Sequence, residues 1–165
     1  HLNELLDALV AVHERFGIPV LVSTHPRTRK RLEQREQPFE HTGITFMQPF
    51  GFLDYNRLQM DAFCVLSDSG TITEESALLG FPAVTIRRSM ERPEGLDTGS
   101  VVLTGLDPEI IVQAVTAVTD AWREDRIPPI PADYRVDNVS QRVLNLLLGT
   151  ARLSNAWAGV SSPPP

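Results

Sequence analysis

Residues 62–86 read Ala-Phe-Cys-Val-Leu-Ser-Asp-Ser-Gly-Thr-Ile-Thr-Glu-Glu-Ser-Ala-Leu-Leu-Gly-Phe-Pro-Ala-Val-Thr-Ile. Ala62 to Leu66 is an unbroken apolar run, closed by the turn residues Ser67-Asp68-Ser69-Gly70. Residues 72–79 read as a helix that ends at Gly80, a natural left-handed C′ residue. Pro82 to Ile86 is a second short apolar run. Strand, turn, helix and strand in that order make the unit that joins neighbouring parallel strands.

The same alternation extends in both directions. Leu2, Leu5, Leu6, Leu9, Val10 and Val12 recur at helical spacing, so residues 2–16 are expected to be a helix stopped by Gly17 and Pro19. Val20 to Ser23 is a strand, residues 27–35 a polar surface helix, Ile44 to Met47 a strand, and 53–60 a short helix. Beyond Ile86, Val101 to Leu103 is a fifth strand, and residues 107–123 are an amphipathic helix opened by Asp107-Pro108. Short strands that are apolar throughout, separated by helices, indicate a parallel sheet covered on both faces. The expected fold class is α/β, a Rossmann-like three-layer arrangement.

Past residue 125 the pattern changes. Pro128, Pro129 and Pro131 form an extended connector, residues 139–148 read as one more helix, and Ser161 to Pro165 carry no element. The expected division is 1–125 for the sheet domain, 126–150 for connector and helix, and 151–165 for a tail.

The chain has 165 residues, 42% hydrophobic and 22% charged, the composition of an ordinary globular domain. A net charge of −6 argues against a general nucleic-acid binder, with His25 to Arg31 the one basic cluster. No apolar run reaches the about 18 residues that span a bilayer. Cys64 is the only cysteine, which excludes an intrachain disulfide and a CxxC zinc site; an inert buried thiol in the cytoplasm is expected. The chain opens at His1, directly into an amphipathic pattern and without signal-peptide regions, so it is expected to be a piece of a longer protein.

In an open parallel sheet, ligands bind beyond the carboxyl ends of the strands. Thr24-His25-Pro26-Arg27, Gln48-Pro49-Phe50-Gly51, Ser67 to Thr71, and Arg87-Arg88 with Glu91 to Glu94 all follow strands, so polar groups gather at that edge. Gly70 permits close backbone approach. The amides at the start of the next helix favour an anion, with the helix dipole contributing about 0.3–2 kcal/mol. Thr71 and Glu74 match the capping box, which accounts for Glu74 but not for Glu75. Glu75 shares a helix side with Leu78 and Leu79, where a carboxylate needs a partner. A ribose diol is one such partner; an ion pair with Arg92 is another. Arg92 suits a diphosphate, or simply sits in a solvated turn. Tyr55 and Phe50 suit a base stack of about 1–3 kcal/mol, or core packing. His25 beside Arg27 suits a phosphate, or caps a strand end. There is no G-x-S-x-G elbow, Walker A loop, H-E-x-x-H or G-x-G-x-x-G fingerprint. The residues by themselves indicate a phosphate- or nucleotide-binding α/β domain.

Ser67-Asp68-Ser69-Gly70, Glu74-Glu75, Leu79-Gly80-x-Pro82 and Glu91-Arg92-Pro93-Glu94, in that order and spacing, resemble the non-hydrolysing UDP-N-acetylglucosamine 2-epimerases over about residues 2–150. The resemblance implies the C-terminal half of a two-domain glycosyltransferase-B type fold, with UDP or a UDP-N-acetylhexosamine in the cleft. It implies that Ser69, Gly70 and Thr71 contact the diphosphate, Glu75 the ribose, Arg92 a phosphate and Tyr55 the uracil. His25 falls where relatives carry a histidine linked to a regulatory UDP-sugar site. The reaction implied is inversion at C2 by elimination and re-addition of UDP, without cofactor or metal. The acid/base carboxylates would belong to a missing N-terminal domain and the catalytic histidine to an H-R-x-E-N segment that does not match His1-Leu2-Asn3-Glu4. No catalytic residue is therefore expected here. A homodimer is implied for the full-length protein, with neither nucleic acid nor membrane as partner.

The simplest relatives read S-G-G where this chain reads Ser69-Gly70-Thr71. The run Ser69 to Ser76, with Thr24 to Arg29 and Asn138-Val139-Ser140, looks more like a sister branch that forms UDP-N-acetyl-L-fucosamine from UDP-2-acetamido-2,6-dideoxy-L-talose. A UDP-sugar glycosyltransferase domain shares the fold and the nucleotide carboxylate. A non-enzymatic nucleotide-sensing module is the third alternative.

Overall fold

The computed structural model describes residues 1–160; the tail at Ser161 to Pro165 lies outside the described residues. Helix α1 (Leu2–Phe16) leads to strand β1 (Val20–Ser23), α2 (Pro26–Glu33), β2 (Ile44–Met47), α3 (Phe52–Asp61), β3 (Val65–Ser67), α4 (Ile72–Leu79), β4 (Ala83–Thr85), α5 (Pro93–Asp97), β5 (Val102–Leu103) and α6 (Pro108–Arg123). Gly17 and Gly80 are both left-handed, as their place after a helix requires. The carboxylate of Asp107 caps α6 by accepting from the amides of Glu109 and Ile110 at 2.9 and 3.2 Å.

All strand pairs are parallel. They form two ladders where one was expected: β1 with β2, and β3-β4-β5. In the first, Val20 to Ser23 face Ile44 to Met47 in register. In the second, Val65 faces Ala83 and Val84 faces Val102.

Helices cover β4 on both sides. Val84 packs among Ala8 and Val12 of α1 and Ile111, Ala114 and Val115 of α6. Ala83 packs with Ile72 of α4, Phe81 and Val101. Burying each Val, Ile or Phe among them contributes on the order of 1.5–3 kcal/mol, so these two clusters fix the platform from which the β3–α4 and β4–α5 connections leave.

The expectation of strands buried on both faces holds for β4, all three of whose residues are buried. It fails for β1, where Leu21 is 55% exposed and alternate residues face outward. A four-residue apolar strand reads the same whether one face is covered or two. The third strand also starts later than expected. Ala62 still closes α3, and the ladder begins where the Val65 amide donates to the Pro82 carbonyl at 3.0 Å. Residues 91–95, read as a charged turn, lead into the short helix α5.

The contact pattern divides the chain into two compact units, 1–131 and 132–165. The second holds a 3-10 turn at Ala132–Arg135, helix α7 (Val139–Thr150) and a last turn α8 (Ser154–Trp157). No helix among the described residues is long and apolar enough to cross a membrane.

Candidate functional site

The carboxyl ends of the strands gather polar groups as expected. A cavity of about 300 Å³ opens there, lined by Thr28 and Arg31 after β1, Asp68 after β3, Ile86 and Arg88 after β4, and Leu106 after β5. A larger hollow of about 500 Å³ between α1 and α6 lies away from this edge and brings no comparable set of groups together.

Between β3 and α4, hydroxyls organise the backbone. The Ser67 hydroxyl accepts from the Ser69 amide at 3.1 Å, and the Ser69 hydroxyl accepts from the Thr71 amide at 3.3 Å. The turn amides of Ser69 and Thr71 are therefore already bonded, ahead of the start of α4. The capping box also fails to form. Thr71 makes no side-chain cap; its hydroxyl donates instead to Oε1 of Glu75 at 2.6 Å. Its single proton is thereby committed, so the 2.9 Å contact between the Ser69 and Thr71 hydroxyls has Ser69 as donor.

The second oxygen of Glu75 accepts from Nε2 of Gln59 at 2.7 Å. Gln59 is a buried residue of α3, only 2% exposed, and its own Oε1 has no partner. A carboxylate offers about four lone-pair sites, so two protein bonds leave Glu75 oriented and still able to accept more. Tyr55 lies one turn before Gln59 on the same helix. Burial pushes its phenol above the ordinary 10.0, and the nearby Glu75 and Asp68 carboxylates add to the effect. The structure therefore brings Tyr55, Gln59, Thr71 and Glu75 to one edge.

Glu75 does not pair with Arg92. That arginine donates through Nε to Oε1 of Glu74, one residue earlier, in a short bond. The approach depends on Gly95 of α5: a methyl there would meet Cγ2 of Thr73 at 2.0 Å, so only glycine lets α5 settle against α4. The other end of Arg92 reaches the loop. A methyl on Gly70 would stand 2.7 Å from its Nη1 and 3.2 Å from Nη1 of Arg87. Gly70 has no positive φ, so what a side chain there would displace is these two guanidinium tips and not the backbone. Arg87, immediately past β4, is gripped by Glu91 through bonds of 2.7 and 3.4 Å. The Arg87 hydrogen bond and charge hold the Glu91 carboxyl below its ordinary range.

His25 stands apart. It is exposed, and its ring nitrogen accepts from the Arg27 amide at 3.2 Å to cap α2. Cys64 is shielded enough for burial to push its thiol up to about 12, so it is no nucleophile. Among the described residues no group of three His, Cys, Asp or Glu side chains is placed to hold a metal ion.

Sequence reasoning missed Gln59 and Arg87. Gln59 had a signal: a polar residue four after Tyr55 on a helix whose inner face must be buried. Arg87 was visible only as one of two arginines after a strand, and its proximity to Gly70 is a tertiary fact.

The family model described as UDP-N-acetylglucosamine 2-epimerase matches residues 1–148. The UDP-N-acetylglucosamine 2-epimerase of Methanococcus maripaludis is 29% identical over 152 residues, 90% of this chain and 40% of its own length. Among solved structures, that of the UDP-N-acetylglucosamine 2-epimerase of Rickettsia bellii superposes with a TM-score of 0.80 at 40% identity, covering 93% of this chain and 42% of the other. The Methanocaldococcus jannaschii UDP-GlcNAc 2-epimerase, solved in complex with UDP-GlcNAc and UDP, gives a TM-score of 0.73 at 25% identity, covering 90% and 40%. The chain thus spans about 40% of the length of these relatives.

Proposed function

This chain belongs to the UDP-N-acetylglucosamine 2-epimerase family, and on that premise we propose that its β3–α4 edge is the UDP-binding half of a two-domain epimerase that inverts C2 of a UDP-N-acetylhexosamine. One observation carries the reading. The Ser69-Gly70-Thr71 loop has an oriented carboxylate bonded at Thr71 and the Arg92 guanidinium beside Gly70. A nucleoside diphosphate has the matching order of groups: ribose hydroxyls that donate, then phosphates that accept.

Glu75 would take the 2′ and 3′ hydroxyls on its remaining lone pairs, each hydrogen bond to a charged group contributing about 1.5–3 kcal/mol. The loop, the start of α4 and Arg92 would take the diphosphate. Tyr55 would lie against the uracil. In an elimination of UDP from C1, charge develops on the departing phosphate, and fixed cations there stabilise the transition state.

Proton transfer at C2 belongs elsewhere in this reading. Glu74 is held by Arg92, Glu75 by Gln59 and Thr71, and Glu91 by Arg87. Each of these carboxylates is already engaged by a neighbouring side chain, and none of them is assigned to the C2 proton. The 165-residue chain would therefore bind UDP without epimerising UDP-sugars. Unlike a sensing module, the full-length protein would turn over UDP-GlcNAc to UDP-ManNAc, or, on the sister branch suggested by the Ser69 to Ser76 run with Thr24 to Arg29 and Asn138 to Ser140, UDP-2-acetamido-2,6-dideoxy-L-talose.

Calorimetric titration of the chain with UDP tests the binding claim; no heat of binding at millimolar ligand would overturn it. Incubation of the same chain with UDP-GlcNAc, followed by chromatography, tests the second claim, and detectable UDP-ManNAc would refute it.

A further inference from the structure

Arg87 has so far no role beyond its ion pair. Its side chain is 24% exposed and rooted at the end of β4, where its carbonyl accepts from the Gly105 amide at 3.0 Å. Its guanidinium therefore leaves a backbone position fixed by the sheet and turns toward Gly70. The two arginines at that glycine differ in how they are held. Glu74, the partner of Arg92, is half-buried at 29% exposure. Glu91, the partner of Arg87, is 63% exposed, with its second oxygen 4.0 Å from Arg92. Exposed ion pairs of this kind are worth little, because the carboxylate regains its hydration when it lets go.

We propose that Arg87 is a second diphosphate-binding residue of this site, paired with Glu91 without ligand and handed to the diphosphate when Glu91 swings out. This rests on the UDP reading above and adds to it a named cation and an exchange of anions. A guanidinium with five donors in a planar fork suits the swap, since the same two N–H groups that hold a carboxylate hold two phosphate oxygens. Two cations tolerate each other at one glycine without ligand because Glu74 holds Arg92 while Glu91 bonds Arg87 at 2.7 Å and lies 4.0 Å from Arg92. Charge balance then favours a diphosphate over a monophosphate, because two guanidinium groups meet it.

The test is calorimetry of the 165-residue chain, with thermal melting as a check on folding, using UDP and uridine on the wild type, Arg87→Gln, Arg87→Lys and Glu91→Gln. Arg87→Gln is expected to lose roughly 10- to 100-fold in UDP affinity and nothing for uridine, which carries no phosphate. Arg87→Lys should fall between, keeping the charge without the fork. Glu91→Gln should bind UDP as well as the wild type or better, because it removes the competing anion; a purely structural Arg87–Glu91 pair predicts a loss there instead. If Arg87→Gln does not fold, the Lys and Glu91→Gln arms decide. Wild-type binding of UDP with Arg87→Gln within twofold, or a Glu91→Gln loss that mirrors it, overturns the role of Arg87 and leaves the UDP site standing. Absence of UDP binding by the wild type overturns both.

Discussion

Adding one methyl group at Gly70 separates what the loop does for folding from what it does for a ligand. In Gly70→Ala the new carbon would stand 2.7 Å from Nη1 of Arg92, where ordinary contact begins at 3.4 Å. The arginine tip must therefore retreat by about 0.7 Å, the difference of those two distances. The nearest atoms are the ends of flexible side chains, and the backbone there has no positive φ. The rearrangement is thus cheap for folding. Alanine also narrows the unfolded ensemble, worth about 0.4–1 kcal/mol in favour of the fold. Net stability should change by less than about 1 kcal/mol, a shift of roughly 2–4 °C in Tm for a chain of this size. A ligand is affected differently. Moving Arg92 by that distance breaks a charge-assisted hydrogen bond of about 1.5–3 kcal/mol, so UDP affinity should fall on the order of 10- to 100-fold while uridine affinity stays put. Thermal melting and calorimetry with both ligands read the two effects separately. A Tm loss well beyond 4 °C would show that the glycine serves the backbone; unchanged UDP binding would show that the arginines do not meet the phosphates.

Glu75→Ala should reduce UDP affinity by roughly 10-fold or more and bring UDP and 2′-deoxy-UDP close to equal; equal losses for both ligands remove the ribose role. Gln59→Met takes away the 2.7 Å bond to Glu75 but also the partnerless Oε1, so stability should hold within about 1 kcal/mol while the ratio of UDP to 2′-deoxy-UDP affinity shrinks. Ultraviolet titration should place the Tyr55 phenol above 10.0, chiefly from burial. Since the folded state raises this pKa, its stabilising contribution is complete below pH 10.0 and lost as pH rises through the folded value; Glu75→Gln should bring the titration down only in part. Cys64, with its thiol pushed up to about 12, should resist thiol reagents at pH 8 until the chain unfolds, and rapid labelling of the folded protein would contradict its burial.

Much of this architecture was readable along the chain, because it depends on neighbours a few residues apart. The repeat of Leu2, Leu5, Leu6 and Leu9 marks one side of α1, and Asp107-Pro108 announces α6 through bonds to amides two and three residues on. Helix α5 escaped because five residues beginning with proline and including a glycine carry no period. The capping box was misread for a related reason. A capping box needs the Glu74 carboxylate at the Thr71 amide, but Arg92, 18 residues on, takes that carboxylate and the Ser69 hydroxyl takes the amide.

The site divides along the same line. The loop Ser69-Gly70-Thr71, the carboxylate of Glu75 and the arginine of the Glu91–Glu94 turn are set by residue type and order, and these alone indicate a polar strand edge with a glycine loop and a carboxylate beside it. Which charge meets which is settled by the packing of strands and helices. Glu75 goes to Gln59, 16 residues away, and Arg92 goes to Glu74, 18 residues away. Arg87 arrives beside Gly70 because β3 and β4 lie side by side in parallel, so their carboxyl ends emerge together. Side-chain chemistry is carried by the residue, but pairing depends on distances of a few ångströms, and those exist only once the strands have aligned and the helices have packed.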